Sequence, residues 1–225
     1  MPGSSTTATD PPPRRGRRPA AEVRRAVLDA AAHILYTDGL SAITFERVAS
    51  AAGASKVTLY KWWPSPAVLA FEAYHDDVRP VLAFPDTGDF LGDLKTQMYS
   101  FVRTLMEQPV AGGRTRGQVI AEMVGASHAD ETFARAFHEY YTLPRLRLTM
   151  ARFEAARDQG EIPEHFDLAC LADQLWGACY HRVMLFGKPL DHAYVDALIA
   201  NLFDTGAGRK RVKRAKVSTS RARIR

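Results

Sequence analysis

The sequence predicts an all-α protein of about nine helices, and three observations carry this prediction. Apolar residues return at the i, i+3, i+4, i+7 spacing of amphipathic helices in one segment after another. Glycine and proline fall mostly between these segments, where such residues end helices. No segment of the first 80 residues alternates like a half-buried strand. At 225 residues and 46% hydrophobic, the chain can bury a sizeable core.

The first helix is predicted to begin at Pro19 and to end before Gly39. Proline suits the first turn of a helix, and glycine commonly follows its end. The apolar stripe between them consists of Val23, Ala26, Val27, Ala30, Ala31, Ile34 and Leu35.

Three more helices follow within the first 80 residues. Thr44 occupies the position of an N-cap, and the helix after it ends near Gly53. Ser55 caps the next short helix, which Pro64 stops, and Ser65 starts a fourth.

The second half continues with helices after a linker at residues 84–89. Apolar periodicity predicts helices over about 91–105, 119–124, 130–159, 167–186 and 191–204. Pro144 should bend or interrupt the longest of them, because proline lacks the N–H that a helix interior needs.

Charge divides the chain into parts. Residues 1–25 carry a net charge of +4, residues 209–225 carry +9, and the body between them carries −8. We expect a disordered basic arm over 1–18, folded domains over 19–80 and 81–206, and a disordered basic tail over 207–225. An acidic body excludes a protein that coats nucleic acid over its whole surface, but it leaves room for a local binding site.

Other features bear on the cellular location. No stretch approaches the roughly 18 apolar residues of a membrane span, and we expect no signal peptide, so the protein is placed in the cytoplasm without a membrane partner.

Cys170 and Cys179 lie about 13 Å apart along one predicted helix at about 1.5 Å per residue, too far to pair. Both are interpreted as core thiols.

Residues 44–66 match the requirements of a helix-turn-helix. Ala49 supplies the small helix contact and Gly53 the turn, while the predicted anchors are Val48, Ala52, Leu59 and Trp62. With these inside, polar side chains suited to phosphates and base edges face outward: Ser55, Lys56, Thr58, Tyr60 and Lys61. The pattern alone leaves a purely structural hairpin open.

The stretch "GLSAITFERVASAAGASKVTLYKWWPSPAVL" at 39–69, after an amphipathic helix, resembles the TetR family of bacterial transcriptional repressors. This resemblance implies a homodimer whose three N-terminal helices bind double-stranded operator DNA. It also implies a helical C-terminal domain that binds a small molecule and thereby releases the DNA. A looser similarity at 160–199 indicates where the dimer interface lies, but not which ligand is bound.

The resemblance assigns DNA contacts to particular residues. Thr44 would cap its helix at a phosphate, and Lys56, Thr58, Tyr60 and Lys61 would contact backbone or bases. Val57 could meet a thymine methyl. The family usually has Lys where this chain has Pro66, so one phosphate contact is missing. The arm residues Arg14, Arg15, Arg17 and Arg18 are predicted to compensate in an adjacent minor groove.

The last two helices carry wide apolar bands, which predict a two-fold dimer through a four-helix bundle over about 167–204. The alternative is that both faces are intramolecular core. The predicted interface residues are Leu168, Leu171, Leu175, Cys179, Val195, Leu198 and Leu202.

A largely apolar ligand pocket is predicted between the helices of the second half. Its candidate residues are Met98, Phe101, Met123, Phe137, Tyr141, Trp176 and Tyr180. Taken singly, each of them is more typical of ordinary bundle core, and only the cluster suggests a pocket.

Two other function classes compete with a specific regulator. Enzyme motifs are incomplete: "HEYYT" at 138–142 has Thr142 where a zinc-binding helix needs its second histidine, so no metal or cofactor is expected. The basic tail suggests a nonspecific nucleic-acid-binding protein, although a solvated tail is equally consistent with it.

Overall fold

Every regular element that the computed structural model describes, over residues 18–78 and 84–203, is helical. Ten α-helices follow one another in chain order. They are α1 Ala20–Asp38, α2 Phe45–Ala52, α3 Lys56–Trp62, α4 Pro66–Val78, α5 Phe90–Met106, α6 Arg116–Ser127, α7 Glu131–Phe137, α8 Leu143–Asp158, α9 Leu168–Tyr180 and α10 His192–Phe203. The predicted all-α class is confirmed.

Two π-helical segments join or extend these helices. His138–Thr142 connects α7 to α8 in one continuous run, and His181–Leu185 extends α9. Apart from a short 3-10 turn at Leu40–Ala42, the described residues therefore contain nine continuous helical runs, as predicted. The first π segment ends two residues before Pro144, which lies in the first turn of α8. Pro144 has no N–H to donate to the preceding turn, so the α-helical hydrogen-bond pattern cannot continue there. The chain takes the π-helical pattern at this point, and the helical run is not interrupted.

The first four helices pack around α1. Its inward face contributes Val27, Ala31 and Leu35, which are fully buried and pack against α2 and α4. The Thr44 hydroxyl caps α2 by accepting from the Arg47 N–H at 3.1 Å. Gly53 then takes the left-handed conformation (φ 59°, ψ 40°) that turns the chain into α3, a conformation that costs glycine little. The predicted turn geometry is confirmed.

The last six helices continue the same apolar core. Phe90, Leu94, Phe153 and Leu175 are fully or almost fully buried within it. One ion pair also lies inside it, where Nη2 of Arg152 bonds Oδ2 of Asp93 at 3.0 Å. The backbone N–H of Thr87 donates to the same carboxylate, so this pair ties the predicted linker segment at 84–89 to α5 and α8.

The two cysteines differ in environment. Cys179 is buried, and burial raises the pKa of its thiol to about 12. Cys170 is exposed, so the prediction of two core thiols is wrong for Cys170. Cys170 lies on a face of α9 that is left uncovered in the single chain.

Candidate DNA-binding surface and effector cavity

The recognition helix α3 presents most of its predicted contact residues to solvent. Val57 is 76% exposed and Tyr60 67% exposed, although both are residue types that proteins usually cover. Ser55, Lys56 and Lys61 are exposed as well, whereas Thr58 is half-buried. The Tyr60 ring stands edge-on against Phe45 of α2 at a centroid distance of 4.7 Å, which holds its hydroxyl outward.

Lys56 is paired in the DNA-free protein. Its Nζ lies 2.7 Å from Oε1 of Glu46 on α2, and both side chains are largely exposed. The hydrogen bond from Lys56 holds the pKa of Glu46 below its ordinary value, and the same contact raises the pKa of Lys56. Lys56 therefore has to exchange this carboxylate for a phosphate if it binds DNA.

The start of the recognition helix differs from the prediction in one detail, whereas Ser65 starts α4 as predicted. Ser55 stands at the N-cap position of α3, but its side chain makes no capping hydrogen bond, which corrects its predicted structural role. Pro66 is the first residue of α4, where proline is favoured, and the Ser65 hydroxyl accepts from the Val68 N–H at 3.3 Å.

The basic arm is described only at its last residue. Arg18 donates from Nη2 to the carbonyl of Gly53 at 2.5 Å and to that of Ala52 at 3.2 Å. Its guanidinium therefore caps the C-terminus of α2, an internal role that the sequence reading missed. Arg17 and the rest of the predicted arm, like the predicted tail over 207–225, lie outside the described residues.

Trp63, which the sequence left without a role, is the main anchor behind α3. It is 2% exposed, and its Nε1 donates to Oε2 of Glu72 on α4 at 2.7 Å. Arg24 of α1 lies over the Trp63 ring at 4.8 Å and pairs with the same glutamate. The predicted anchor Trp62 is only partly buried. A buried tryptophan needs a partner for its N–H, and here that need joins α3, α4 and α1.

A cavity of about 450 Å³ opens among the helices of the second half, within the size range of small-molecule sites. Its wall is mainly aromatic and aliphatic. The lining residues are Tyr74, Val78, Phe84, Gln97, Phe101, Thr104, Leu105, Ile120, Val124, Phe137, Tyr141, Thr142, Arg145, Leu146, Leu148, Thr149, Ala172, Asp173, Trp176, Gly177, Tyr180 and Met184.

The predicted pocket residues divide between this wall and the core. Five of them line the cavity: Phe101, Phe137, Tyr141, Trp176 and Tyr180. Met98 and Met123 are fully buried and do not line it, so their assignment to the pocket is corrected. Both lie on the inward face of their helices, but that face meets other helices at these two positions. Arg145 and Thr149, which the sequence reading did not select, belong to the wall instead.

Three polar side chains of the wall, Tyr141, Tyr180 and Arg145, lie together near the π segment at 138–142. The hydroxyls of Tyr141 and Tyr180 lie 3.3 Å apart, and burial raises the pKa of Tyr180 well above its ordinary value, so its phenol stays neutral. The guanidinium of Arg145 stacks over the Tyr141 ring, with its carbon 3.5 Å from the ring centroid. Aromatic surface and a few directed polar groups therefore face the same cavity.

Helix α6 connects the cavity to the first four helices. Ile120 and Val124 line the cavity, whereas Glu122 lies on the opposite side of the helix, two residues and about 200° away. Oε2 of Glu122 accepts from the backbone N–H of Leu40 at 2.7 Å, just after α1. Its other oxygen pairs with Arg114 at 2.7 Å.

Arg114 extends the same junction. It donates from its backbone N–H to the Tyr36 carbonyl at 2.7 Å and from Nη1 to the Thr37 carbonyl at 2.9 Å, at the end of α1. A Cβ at Gly39 would approach this guanidinium within 2.8 Å, and Gly39 has a φ of 92°, so the residue there must be small. The α5–α6 loop is thereby fastened to the DNA-binding helices.

Helix α4 makes the second connection. Tyr74 and Val78 line the cavity, while Glu72 holds Trp63 behind the recognition helix. Near its end, Asp77 accepts from the Tyr36 hydroxyl at 2.9 Å and from Nε of Arg116 at 2.9 Å. One helix thus contacts the cavity, α1, α3 and α6.

The predicted dimer residues are mostly interior to the single chain. Five of them are at most 5% exposed within one protomer: Leu168, Leu171, Leu175, Cys179 and Val195. Side chains without accessible surface cannot form an interface, so this part of the prediction is wrong, and the intramolecular alternative holds for them. Leu198 and Leu202 are half-buried. The outer faces of α9 and α10 instead expose small residues, namely Ala169, Cys170, Ala193, Ala197 and Ala200.

Within residues 18–78 and 84–203 no group of three or more His, Cys, Asp and Glu side chains could hold a metal ion. No described helix is both long and apolar enough to cross a bilayer.

Comparisons with known proteins agree with this architecture. The family model "Bacterial regulatory proteins, tetR family" matches residues 27–73, and the model "Tetracyclin repressor-like, C-terminal domain" matches residues 84–202. The HTH-type transcriptional regulator YdeS of Bacillus subtilis (strain 168) is 29% identical over 190 residues, which cover 84% of this chain and 92% of that protein.

Solved structures show the same relationship. The TetR family transcription regulator SCO0332 is 42% identical, with a TM-score of 0.68 over 83% of this chain and 100% of that one. FadR from Bacillus subtilis, in complex with stearoyl-CoA, shares the fold at 15% identity, with a TM-score of 0.63 over 82% of this chain and 99% of its own. The matched relatives are transcriptional regulators rather than enzymes. With the C-terminal model alone matching more than half of its length, this chain belongs to the TetR family of transcriptional regulators and carries that family's DNA-binding domain.

Proposed function

We propose that the protein is a homodimeric repressor that binds a near-palindromic operator through α3 and leaves it when a largely apolar small molecule fills the cavity. A regulator of this kind works where the chromosome lies, so the proposal places it in the cytoplasm.

The observation that carries this proposal is the double contact of α4 and α6. Each helix has one side on the cavity and another on the DNA-binding helices, through Glu72 and Asp77 on α4 and Glu122 on α6. A ligand that displaces Tyr74 or Ile120 would therefore move groups that hold α1 and α3. Closely packed interiors transmit such displacements, because they do not deform freely.

The exposed face of α3 supports the DNA contacts. In the proposal, Lys56, Lys61, Ser55 and the Tyr60 hydroxyl bind phosphates, with Thr44 at the start of α2, while Val57 meets a thymine methyl. Thr58 is half-buried and has room only for a contact at the edge of this face. Arg17 and the rest of the arm would add charge in a neighbouring groove.

Footprinting on genomic fragments tests the specific repressor. A short protected near-palindrome, with half-sites spaced about 34–36 Å or a multiple of that distance, is expected from a two-fold protein. Uniform protection at every sequence would instead favour nonspecific binding through the basic ends of the chain. Added effector should abolish the footprint; the bound stearoyl-CoA of FadR supports a ligand site in a domain of this fold.

For the dimer, we propose the outer faces of α9 and α10 with the half-buried Leu198 and Leu202 at their edge. Small exposed residues there, such as Ala197, would let helices of two protomers approach closely. Ala197→Glu should weaken the dimer by about tenfold or more, because a carboxylate would be buried without a partner. Sedimentation is the measurement, with Ala151→Glu on the exposed side of α8 as the matched control. Two variants that dimerise like the wild type would exclude this face.

A further inference from the structure

Arg145 is the single basic residue in the cavity wall as described. It lies on α8, is half-buried, and stacks on the Tyr141 ring with its guanidinium carbon 3.5 Å from the centroid. Its Nη1 donates to the Tyr141 carbonyl at 3.1 Å. These contacts fix the plane of the guanidinium beside the cavity.

The rest of this guanidinium has no acceptor within the part of the chain that the structure describes. Nε and Nη2 make no hydrogen bond there, and no described carboxylate lies within ion-pair distance. The more deeply buried arginines differ. Arg116 faces Asp77 and Glu107, and Arg152 faces Asp93. A half-buried guanidinium with unused, coplanar donors is the arrangement that recognises an anion in a fork.

The surroundings suit an anion attached to an apolar body. The hydroxyls of Tyr141 and Tyr180 lie together next to Arg145, and a neutral phenol can donate a hydrogen bond to an anionic oxygen. Aromatic rings adjoin these hydroxyls: Phe137 stacks on Tyr141 at a centroid distance of 5.0 Å, and Phe101 stands edge-on to Tyr180 at 5.4 Å. An anionic group at Arg145 would thus lie beside rings that can cover the apolar body of the same ligand.

We propose that the cavity binds an apolar small molecule that carries one anionic group, a carboxylate or a sulfonate, and that Arg145 pairs with this group. The inference rests on the proposed effector role of the cavity and specifies the chemical class of the effector.

Asp173 provides the opposing possibility. It also lines the cavity, from the exposed side of α9, and could attract a cationic ligand. Its carboxylate is solvated, whereas Arg145 is half-buried and aligned by Tyr141. Because charge–charge contacts are stronger where water is excluded, Arg145 should dominate the selectivity. The two residues offer a matched pair of charge-removing variants in one wall.

Two fluorescent probes separate charge from shape. Anilinonaphthalene sulfonate is anionic, and phenylnaphthylamine has the same rings without the sulfonate. Their affinities are measured by titration on the full-length wild type and on Arg145→Met, Arg145→Lys and Asp173→Asn. Thermal unfolding and operator binding of each variant show that it is folded.

Arg145→Met should weaken the sulfonate probe by about tenfold to a hundredfold, the range of a lost charge-assisted hydrogen bond, and change the neutral probe by less than about twofold. The affinity of Arg145→Lys for the sulfonate probe should lie between those of the wild type and Arg145→Met, since lysine keeps the charge but not the two coplanar donors. Asp173→Asn should leave the sulfonate probe unchanged or slightly tighter.

Three outcomes would overturn the inference. They are equal loss of both probes in Arg145→Met, dependence of binding on Asp173 alone, and failure of the sulfonate probe to saturate a site on the wild type. None of these affects the footprint, so the inference can fail while the repressor proposal stands. Absence of a specific footprint would contradict the proposed repressor function without affecting the result of the probe titrations.

Discussion

Lys56 is held by Glu46 across the start of the DNA-binding surface, so one cation of the recognition helix is partly neutralised before DNA arrives. Exposed ion pairs are weak, and a phosphate backbone can compete for such a lysine. Glu46 also adds a negative charge close to where phosphates would lie. We therefore expect the pair to lower operator affinity.

Glu46→Gln should raise operator affinity by about two- to fivefold, the range expected from an exposed ion pair. It should also steepen the dependence of binding on salt, since one more cation is free to release counterions. Operator titrations at several salt concentrations measure both effects. Glu154→Gln, an equal charge change on the exposed side of α8, is the control and should leave affinity unchanged. A weaker Glu46→Gln complex would contradict the competition between Glu46 and DNA.

Trp63 ties the end of the recognition helix to α4 through one hydrogen bond to Glu72. Trp63→Phe keeps a ring in place but removes the donor to Glu72, which should cost about 1 kcal/mol of unfolding free energy. Operator binding should weaken as well, because α3 loses its tie to α4. Urea unfolding and operator titration are the measurements. Trp62→Phe, on the partly buried neighbour, serves for comparison and should cost less in stability.

At the scale of helices, α6 joins two functions because its two sides meet different neighbours. Ile120 and Glu122 are two residues apart, yet one lines the cavity and the other binds the N–H of Leu40. Such a helix couples the sites if its position differs between the ligand-bound and DNA-bound states. Linkage then requires that operator DNA and cavity ligand weaken each other equally.

Glu122→Ala should reduce this mutual effect while leaving the cavity itself intact, because its side chain faces away from the cavity. In the wild type, saturating operator DNA is expected to weaken the anionic probe. In the variant the same DNA should weaken it by a clearly smaller factor, as measured by probe titration with and without operator. Glu139→Ala, at an exposed position, is the control. A full wild-type response in Glu122→Ala would show that coupling runs elsewhere, for example through α4.

For the whole molecule, we expect acid stability to depend on the buried Asp93–Arg152 pair in the second half. The pKa of Asp93 lies below its ordinary value of 3.8, chiefly because the backbone N–H of Thr87 donates to its carboxylate. Hydrogen bonds from the Thr87 hydroxyl and from Arg152 lower it further. The unfolded chain therefore binds this proton more readily than the folded one. The stabilisation from Asp93 is present above pH 3.8 and is lost as the pH falls through the lower folded value.

Unfolding free energy should thus decrease below about pH 4, and Asp93→Asn should be less stable at neutral pH but show a flatter acid dependence. Chemical denaturation across pH measures this slope. Asp158→Asn, at an exposed position, should keep the wild-type slope. An unaltered slope in Asp93→Asn would assign acid sensitivity to other carboxylates.

Local sequence determined the helices, the turn and the face of α3, because caps, glycine conformations and apolar periodicity act over a few residues. Thr44 and Gly53 do in the structure what their positions predicted. Periodicity also showed which side of each later helix turns inward. It could not show what that side meets.

Tertiary structure alone decided the rest. It determined that Met98 lies in solid core while Phe101 lines a cavity, and that Leu175 is interior while Cys170 is exposed. It brought Glu122 to Leu40, 82 positions away along the chain. It also left the guanidinium of Arg145 beside a cavity with no described carboxylate within ion-pair distance. These outcomes depend on contacts between helices that are distant in sequence. The apolar pattern of one helix does not determine which other helices pack against it.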